Sequence, residues 1–167
     1  MNCMNNSFPI KYVPTKLTRK DRKNQVRMLN VSKKMYKKKK YYTRKKLGSY
    51  PHKTSKHILN ARRIYKIDNV QPNKDLSEKT GCSIDALQQI VRKGEGAYYS
   101  SGSRPNQSAQ SWGLARLASS ITSGKSAAVD FSILEKGCNH HKKAFLLAKK
   151  SKKKHHFGKR RVRKISF

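Results

Sequence analysis

A chain of 167 residues has room for one domain of ordinary size plus tails, and a hydrophobic share of 35% is too low for a core along its whole length. Lys and Arg number 41 against eight Asp and Glu, a formal charge of +33, so the chain repels itself unless a polyanion neutralises it. No apolar run approaches 18 residues and the opening MNCMNNSFPIKYVP has no apolar core, so neither a membrane span nor a secretion signal is expected.

Residues 1–17 read as extended and poorly ordered, with Pro9 and Pro14 as breakers. Thr18 is a plausible N-cap for a helix to about Lys38, with Val26, Leu29, Met35 and Tyr36 on one loose stripe. Lys37, Lys38, Lys39 and Lys40, followed by Tyr41, Tyr42, Arg44, Lys45 and Lys46, form a basic run with interleaved aromatics, broken between Gly48 and Pro51. Ser55 caps a second helix that carries Ile58, Ala61, Ile64 and Tyr65 near one face. NKDLSEKTGCSIDALQQIVRKG then reads as a short helix, a turn at Gly81–Ser83 and a second helix closed by Gly94. A further helix should start near Ser108 and stop at Gly124. Another follows Ser126 and ends at Gly137, and KKAFLLAKK adds an apolar turn or two before a basic tail with His155 and His156. No stretch alternates as a strand. The expected class is all-α: a small helical domain with a helix-turn-helix-like unit and long basic arms.

The charges divide the chain into three. Residues 1–66 hold 21 Lys and Arg and one acid, Asp21, and are expected to form a basic N-terminal arm with one or two helices. Residues 67–137 hold 8 basic and 7 acidic residues and should form a near-neutral helical core module. Residues 138–167 hold 12 basic residues and no acid, a basic tail. Cys3, Cys82 and Cys138 are an odd set without framework spacing, which argues against a disulfide scaffold and for a reducing compartment.

Charge runs are usually solvated faces, but arms this one-sided call for a polyanion or an acidic protein surface. Each Lys or Arg that meets a phosphate releases a counterion and adds sequence-independent, salt-sensitive affinity. The candidate nucleic-acid contacts are Lys37–Lys40, Arg44, Lys45, Lys46, Arg92, Lys152, Lys153, Lys154, Arg160, Arg161 and Arg163. In the helix-turn-helix-like unit, Leu76, Cys82, Leu87 and Ile90 stand where such a unit buries its side chains. Asp85, Gln88, Gln89 and Arg92 would face outward; glutamine can pair with adenine, but an aspartate faces phosphate badly. Cys138, His140 and His141 cluster without a second cysteine pair, so neither a metal nor any other cofactor is expected. Glu95, Asp130 and Glu135 form no acid–base couple, and no serine lies in a nucleophile elbow, so nothing argues for an enzyme.

One stretch, YYSSGSRPNQSAQSW, is nearly uncharged. Ser101, Ser103, Arg104 and Ser108 could cradle an anion at a helix start. The favoured reading is structural, with Trp112 and Leu117 buried against Leu87 and Ile90 and Arg104 turned inward ahead of Pro105.

The run TGCSIDALQQIVRKGEGAYYSSGSRPNQSAQSWGLARLASSITSGKSAAVDFSILEKGC resembles an uncharacterised domain family of large double-stranded DNA viruses of eukaryotes. A looser relative in tailed phages keeps equivalents of Gly102, Arg104, Pro105, Trp112, Ala115 and Arg116. Tyr12–Pro14, YYTRKK and SKHILNARRIYK are similar to the same viral proteins. The resemblance carries no activity. It implies a virion or late-infection role, in a protein made in the host cytoplasm or nucleus. The resulting expectation is a non-enzymatic minor capsid or genome-associated protein whose partners are capsid proteins or viral DNA. The alternatives are a helix-turn-helix DNA-binding regulator and, behind it, an enzyme or anion-binding module at the Arg104 loop.

Overall fold

Local chemistry at the helix starts sets much of the architecture. In the computed structural model, which describes residues 7–158 and 162–167, the Thr18 hydroxyl accepts from the Asp21 amide at 3.3 Å and opens α1 (Arg19–Lys37). Ser55 does the same for the His57 amide at 3.2 Å, opening α2 (Lys56–Tyr65). Asn73 accepts from the Leu76 amide at 2.9 Å and opens α3 (Lys74–Thr80). Gly81 ends α3 at φ 74°, a left-handed cap that a side chain would strain. There follow α4 (Ile84–Ser100), α5 (Ala109–Ile121), α6 (Lys125–Val129), α7 (Phe131–Gly137) and α8 (Lys143–Lys154).

Three expectations about the secondary-structure elements need correction. α4 does not stop at Gly94 but continues to Ser100. Gly94 is there for packing: a Cβ on it would lie 2.6 Å from the Gly113 Cα, and one on Gly113 would lie 2.6 Å from the Val91 carbonyl oxygen. The helix expected after Ser126 is two, α6 and α7, divided at the buried Asp130. The chain also has strands: β1 (Ser7–Pro9) pairs antiparallel with β2 (Lys164–Ser166), Phe8 opposite Ile165.

The described chain divides into two compact units, both discontinuous in sequence. Unit one takes residues 7–53, 96–109 and 162–167, and unit two takes residues 54–95 and 110–158. The near-neutral stretch 67–137 contributes to both.

In unit one, α1 buries Gln25, Met28, Leu29 and Ser32, one stripe at helical spacing. Of the stripe expected from sequence only Leu29 is buried. The polar members are paired: the Gln25 amide donates to the Tyr12 carbonyl at 3.0 Å and the Ser32 hydroxyl to the Tyr99 carbonyl at 3.0 Å. Phe8, Tyr12, Val13, Leu17, Leu47 and Tyr98 complete this core.

In unit two, Leu76, Cys82, Leu87 and Ile90 are buried with Leu117, Ile121, Phe131, Leu134 and Phe145 in one apolar cluster, and Ala61 and Tyr65 of α2 join it. The Tyr65 hydroxyl donates to the Ile121 carbonyl at 2.5 Å, and burial raises its pKa well above the usual phenol value. Trp112, expected in this core, is only half-buried. The cysteine expectation also fails, since Cys82 and Cys138, 56 residues apart, form a disulfide. Their backbones meet as an isolated antiparallel bridge, flanked by Ser83 N–H to Gly137 O at 2.8 Å and Asn139 N–H to Gly81 O at 2.7 Å.

Candidate nucleic-acid interface

Unit one concentrates the charge. Its described residues include 20 Lys and Arg against a single carboxylate side chain, Asp21. Asp21 is held by Ser49, whose amide donates at 3.0 Å and whose hydroxyl donates at 2.5 Å, lowering the Asp21 pKa. Lys33 shows the crowding: burial lowers its pKa first, and the positive charges of Lys164 and Lys37 lower it further. Its ammonium lies 4.3 Å from the centre of the Phe8 ring.

Lys37, Lys38, Lys39, Lys40, Lys45 and Lys46 are all exposed. α1 ends among them in tight turns, with Lys38 N–H and Lys40 N–H bonded to Met35 O, Lys39 N–H bonded to Tyr36 O, and Lys39 itself at φ 58°. The lysine run is therefore a fixed corner, followed by an irregular segment through Tyr50.

Arg44 does not belong with these lysines. It is 8% exposed and turned into unit one. Its Nη1 donates to the Ser32 hydroxyl at 3.0 Å and the Tyr98 carbonyl at 2.8 Å, and its Nη2 donates to the Ser103 hydroxyl at 2.8 Å. The guanidinium stacks 3.8 Å from the Tyr98 ring centre, and the Arg44 amide donates to the Tyr98 hydroxyl at 3.0 Å. Burial lowers the Arg44 pKa, partly offset by the surrounding tyrosines, Tyr98 foremost. The planar guanidinium suits this site, because its two terminal nitrogens reach three separate acceptors at once.

The same geometry answers what YYSSGSRPNQ does. Gly102, at φ 115°, lies so close to Leu29 that a Cβ would come within 2.8 Å of its Cδ2. Asn106, at φ 60°, accepts from the Leu47 amide at 2.7 Å and donates to the carbonyls of Leu47 and Tyr50 at 3.1 and 2.5 Å. The loop thus clamps the segment after the lysine run. Arg104 is exposed rather than inward; the inward arginine is Arg44. Ser103 is buried and engaged, donating to the Arg104 carbonyl at 2.8 Å while accepting from Arg44. That removes the central hydroxyl from the anion cradle expected of Ser101, Ser103, Arg104 and Ser108, whose other three members are exposed.

In unit two, Asp130 is fully buried and bound by Arg116 through Nε and Nη2, both at 2.8 Å, with the Lys93 ammonium at 2.9 Å. Burial pushes its pKa up, but the hydrogen bonds and charge of Arg116, with Lys93, outweigh it and hold the carboxylate ionised. Gln89 donates to the Asp85 carboxylate at 2.7 Å, and both line a groove of about 270 Å³ with Ser132 and Lys136 of α7. Arg92, Lys153 and Lys154 are exposed and Lys152 is half-buried, its ammonium 4.1 Å from the Phe131 ring centre. Arg163, in unit one, is exposed, whereas Arg160 and Arg161 lie outside the described residues. Near Cys138, the His140 ring stacks on Phe145 at 4.0 Å with its Nε2 2.7 Å from the Glu135 carbonyl oxygen. No group of His, Cys, Asp and Glu suited to a metal ion occurs among the described residues, and none of their helices is long and apolar enough to cross a membrane.

Sequence reasoning missed Tyr98, Ser32 and Asn106 as the residues that fix the basic segment. The sole hint was the density of tyrosines beside it. Compared with known families, residues 9–137 match a family of unknown function, DUF5824, and the chain belongs to it. No curated protein and no solved structure matches. The matched span takes in Lys37–Lys46, Tyr98 and Asn106 but not Lys152–Lys154 or Arg163.

Proposed function

We propose that this member of the DUF5824 family is a non-enzymatic, genome-associated protein of a large DNA virus that binds nucleic acid through exposed lysines. The observation that carries the reading is the charge of unit one: 20 Lys and Arg share one carboxylate, and Lys37–Lys40 at the end of α1, with Lys45 and Lys46 after them, face solvent. Such a surface gains affinity by releasing phosphate counterions whatever the sequence. The virion setting rests on the resemblance of TGCSIDALQQIVRKGEGAYYSSGSRPNQSAQSW and YYTRKK to viral proteins. The basic residues at both ends of the chain act as arms on the genome or on acidic capsid neighbours.

In this reading the helix-turn-helix-like pair α3–α4 is a packing unit rather than a base reader. Gln89 is engaged by Asp85, and the turn is tied to residues 137–139 by the Cys82–Cys138 bridge. The test is duplex binding across a salt series. Affinity should fall steeply and equally for unrelated sequences, and replacing Lys37–Lys40 by Gln should flatten the slope. Affinity for one sequence that survives salt and vanishes with Gln88→Ala and Gln89→Ala would favour a regulator instead. Many copies in purified particles would support the virion role, and absence from them would remove it.

A further inference from the structure

Unit one contains a row of four tyrosine rings leading from its core to the lysine corner. Tyr98 is fully buried beneath the Arg44 guanidinium. Tyr99 meets it edge-on at 5.0 Å, Tyr41 lies 4.9 Å from Tyr99, and Tyr36 lies 6.3 Å from Tyr41. The outer rings are open: Tyr41 is 69% exposed and Tyr36 38%. Tyr41 directly follows Lys37–Lys40 and precedes Lys45 and Lys46.

We propose that Tyr41, with Tyr36 beside it, is a base-stacking platform and that the preferred ligand of this surface is single-stranded nucleic acid. This rests on the nucleic-acid reading above and names the form of the ligand. The Tyr41 ring is largely open to water, yet it is positioned by Tyr99, which in turn meets Tyr98 beneath the Arg44 guanidinium. Lysines on both sides supply phosphate contacts at the spacing of a few residues, and the ring supplies a face for a base. Within a duplex both faces of a base are covered by its neighbours, so apart from the two end pairs only an unpaired base can lie on Tyr41. Every base has such a face, so the platform needs no particular sequence.

The test uses the full chain, a fluorescent dT20 and U20, and a 20-base-pair duplex, at one salt concentration and across a series. Tyr41→Ala removes the ring and leaves every charge. It should weaken binding to the single strands by about tenfold, with the duplex changed less than twofold. Tyr41→Phe keeps the face and should bind as the parent does. The salt slope should be the same for all three proteins, because no phosphate contact is lost. Far-UV circular dichroism checks that Tyr41→Ala is folded; Lys40→Gln, which flattens the slope without discriminating strand from duplex, is the companion variant. Equal losses on strand and duplex, or no loss on either, overturn the platform while leaving nucleic-acid binding in place. A parent protein that binds neither overturns both.

Discussion

Arg44 separates a surface role from a structural one more sharply than any other residue. Truncating it to Ala removes three hydrogen bonds from a charged donor, each worth about 1.5–3 kcal/mol, and a desolvated ring contact of about 2 kcal/mol. The variant no longer pays the several kcal/mol that burying a guanidinium costs the parent, and the net loss is about 3–5 kcal/mol. A unit of this size holds about 3–10 kcal/mol in all, so unit one should lose most of its stability. The tyrosines make the effect local: seven of eight lie in unit one, whereas Tyr65 and the single tryptophan, Trp112, lie in unit two. Urea unfolding should therefore show the near-ultraviolet tyrosine dichroism collapsing at much lower urea in Arg44→Ala, with the tryptophan emission transition kept. Arg44→Lys keeps the charge but not the fork and should fall between the two. The reasoning is refuted if Arg44→Ala unfolds at the parent's urea midpoint and instead binds nucleic acid more weakly, as a surface lysine variant would.

Unit two offers three further tests. Asp130→Asn leaves Arg116 and Lys93 facing each other without their carboxylate and should lower stability by about 3–5 kcal/mol in tryptophan-monitored unfolding. Because the folded pKa of Asp130 lies below its ordinary 3.8, its contribution is full at neutral pH and lost as pH falls through the folded value. The parent's melting temperature should drop in that acid window more than the variant's does. Gly113→Ala pushes a methyl to within 2.6 Å of the Val91 carbonyl oxygen and should cost about 1–3 kcal/mol, read as a lower melting temperature. Cys82→Ser with Cys138→Ser opens a loop of 56 residues and should cost about 4 kcal/mol by chain entropy; reductant should destabilise the parent and leave the double variant unchanged.

Helix starts were legible in the sequence where their chemistry is local: Thr18 and Ser55 each cap within three residues of themselves. The apolar positions of the α3–α4 pair were legible for a similar reason, since Gly81 fixes the count. What failed depended on distant partners. The buried face of α1 includes Gln25 and Ser32, which look like surface residues until Tyr12, Tyr99 and Arg44 reach them. Three-residue strands more than 150 positions apart have no periodicity to read. At the uncharged loop the sequence points to Arg104 as the inward arginine, because proline follows it. The loop does receive a buried arginine, but from 59 residues earlier, where Arg44 reaches Ser103.

The pairing of residues 7–9 with 164–166 also orders events during synthesis. Unit two draws on residues 54–95 and 110–158, all made before β2, while unit one lacks its last strand until residues 164–166 are made. At 5–20 residues per second, residues 7–53, with 17 Lys and Arg, are without that strand for on the order of ten seconds beside ribosomal RNA. The strand that completes unit one is thus also a clock. A nascent chain that has reached residue 158 would hold all the helices of the second unit in its sequence and a basic segment still without its closing strand.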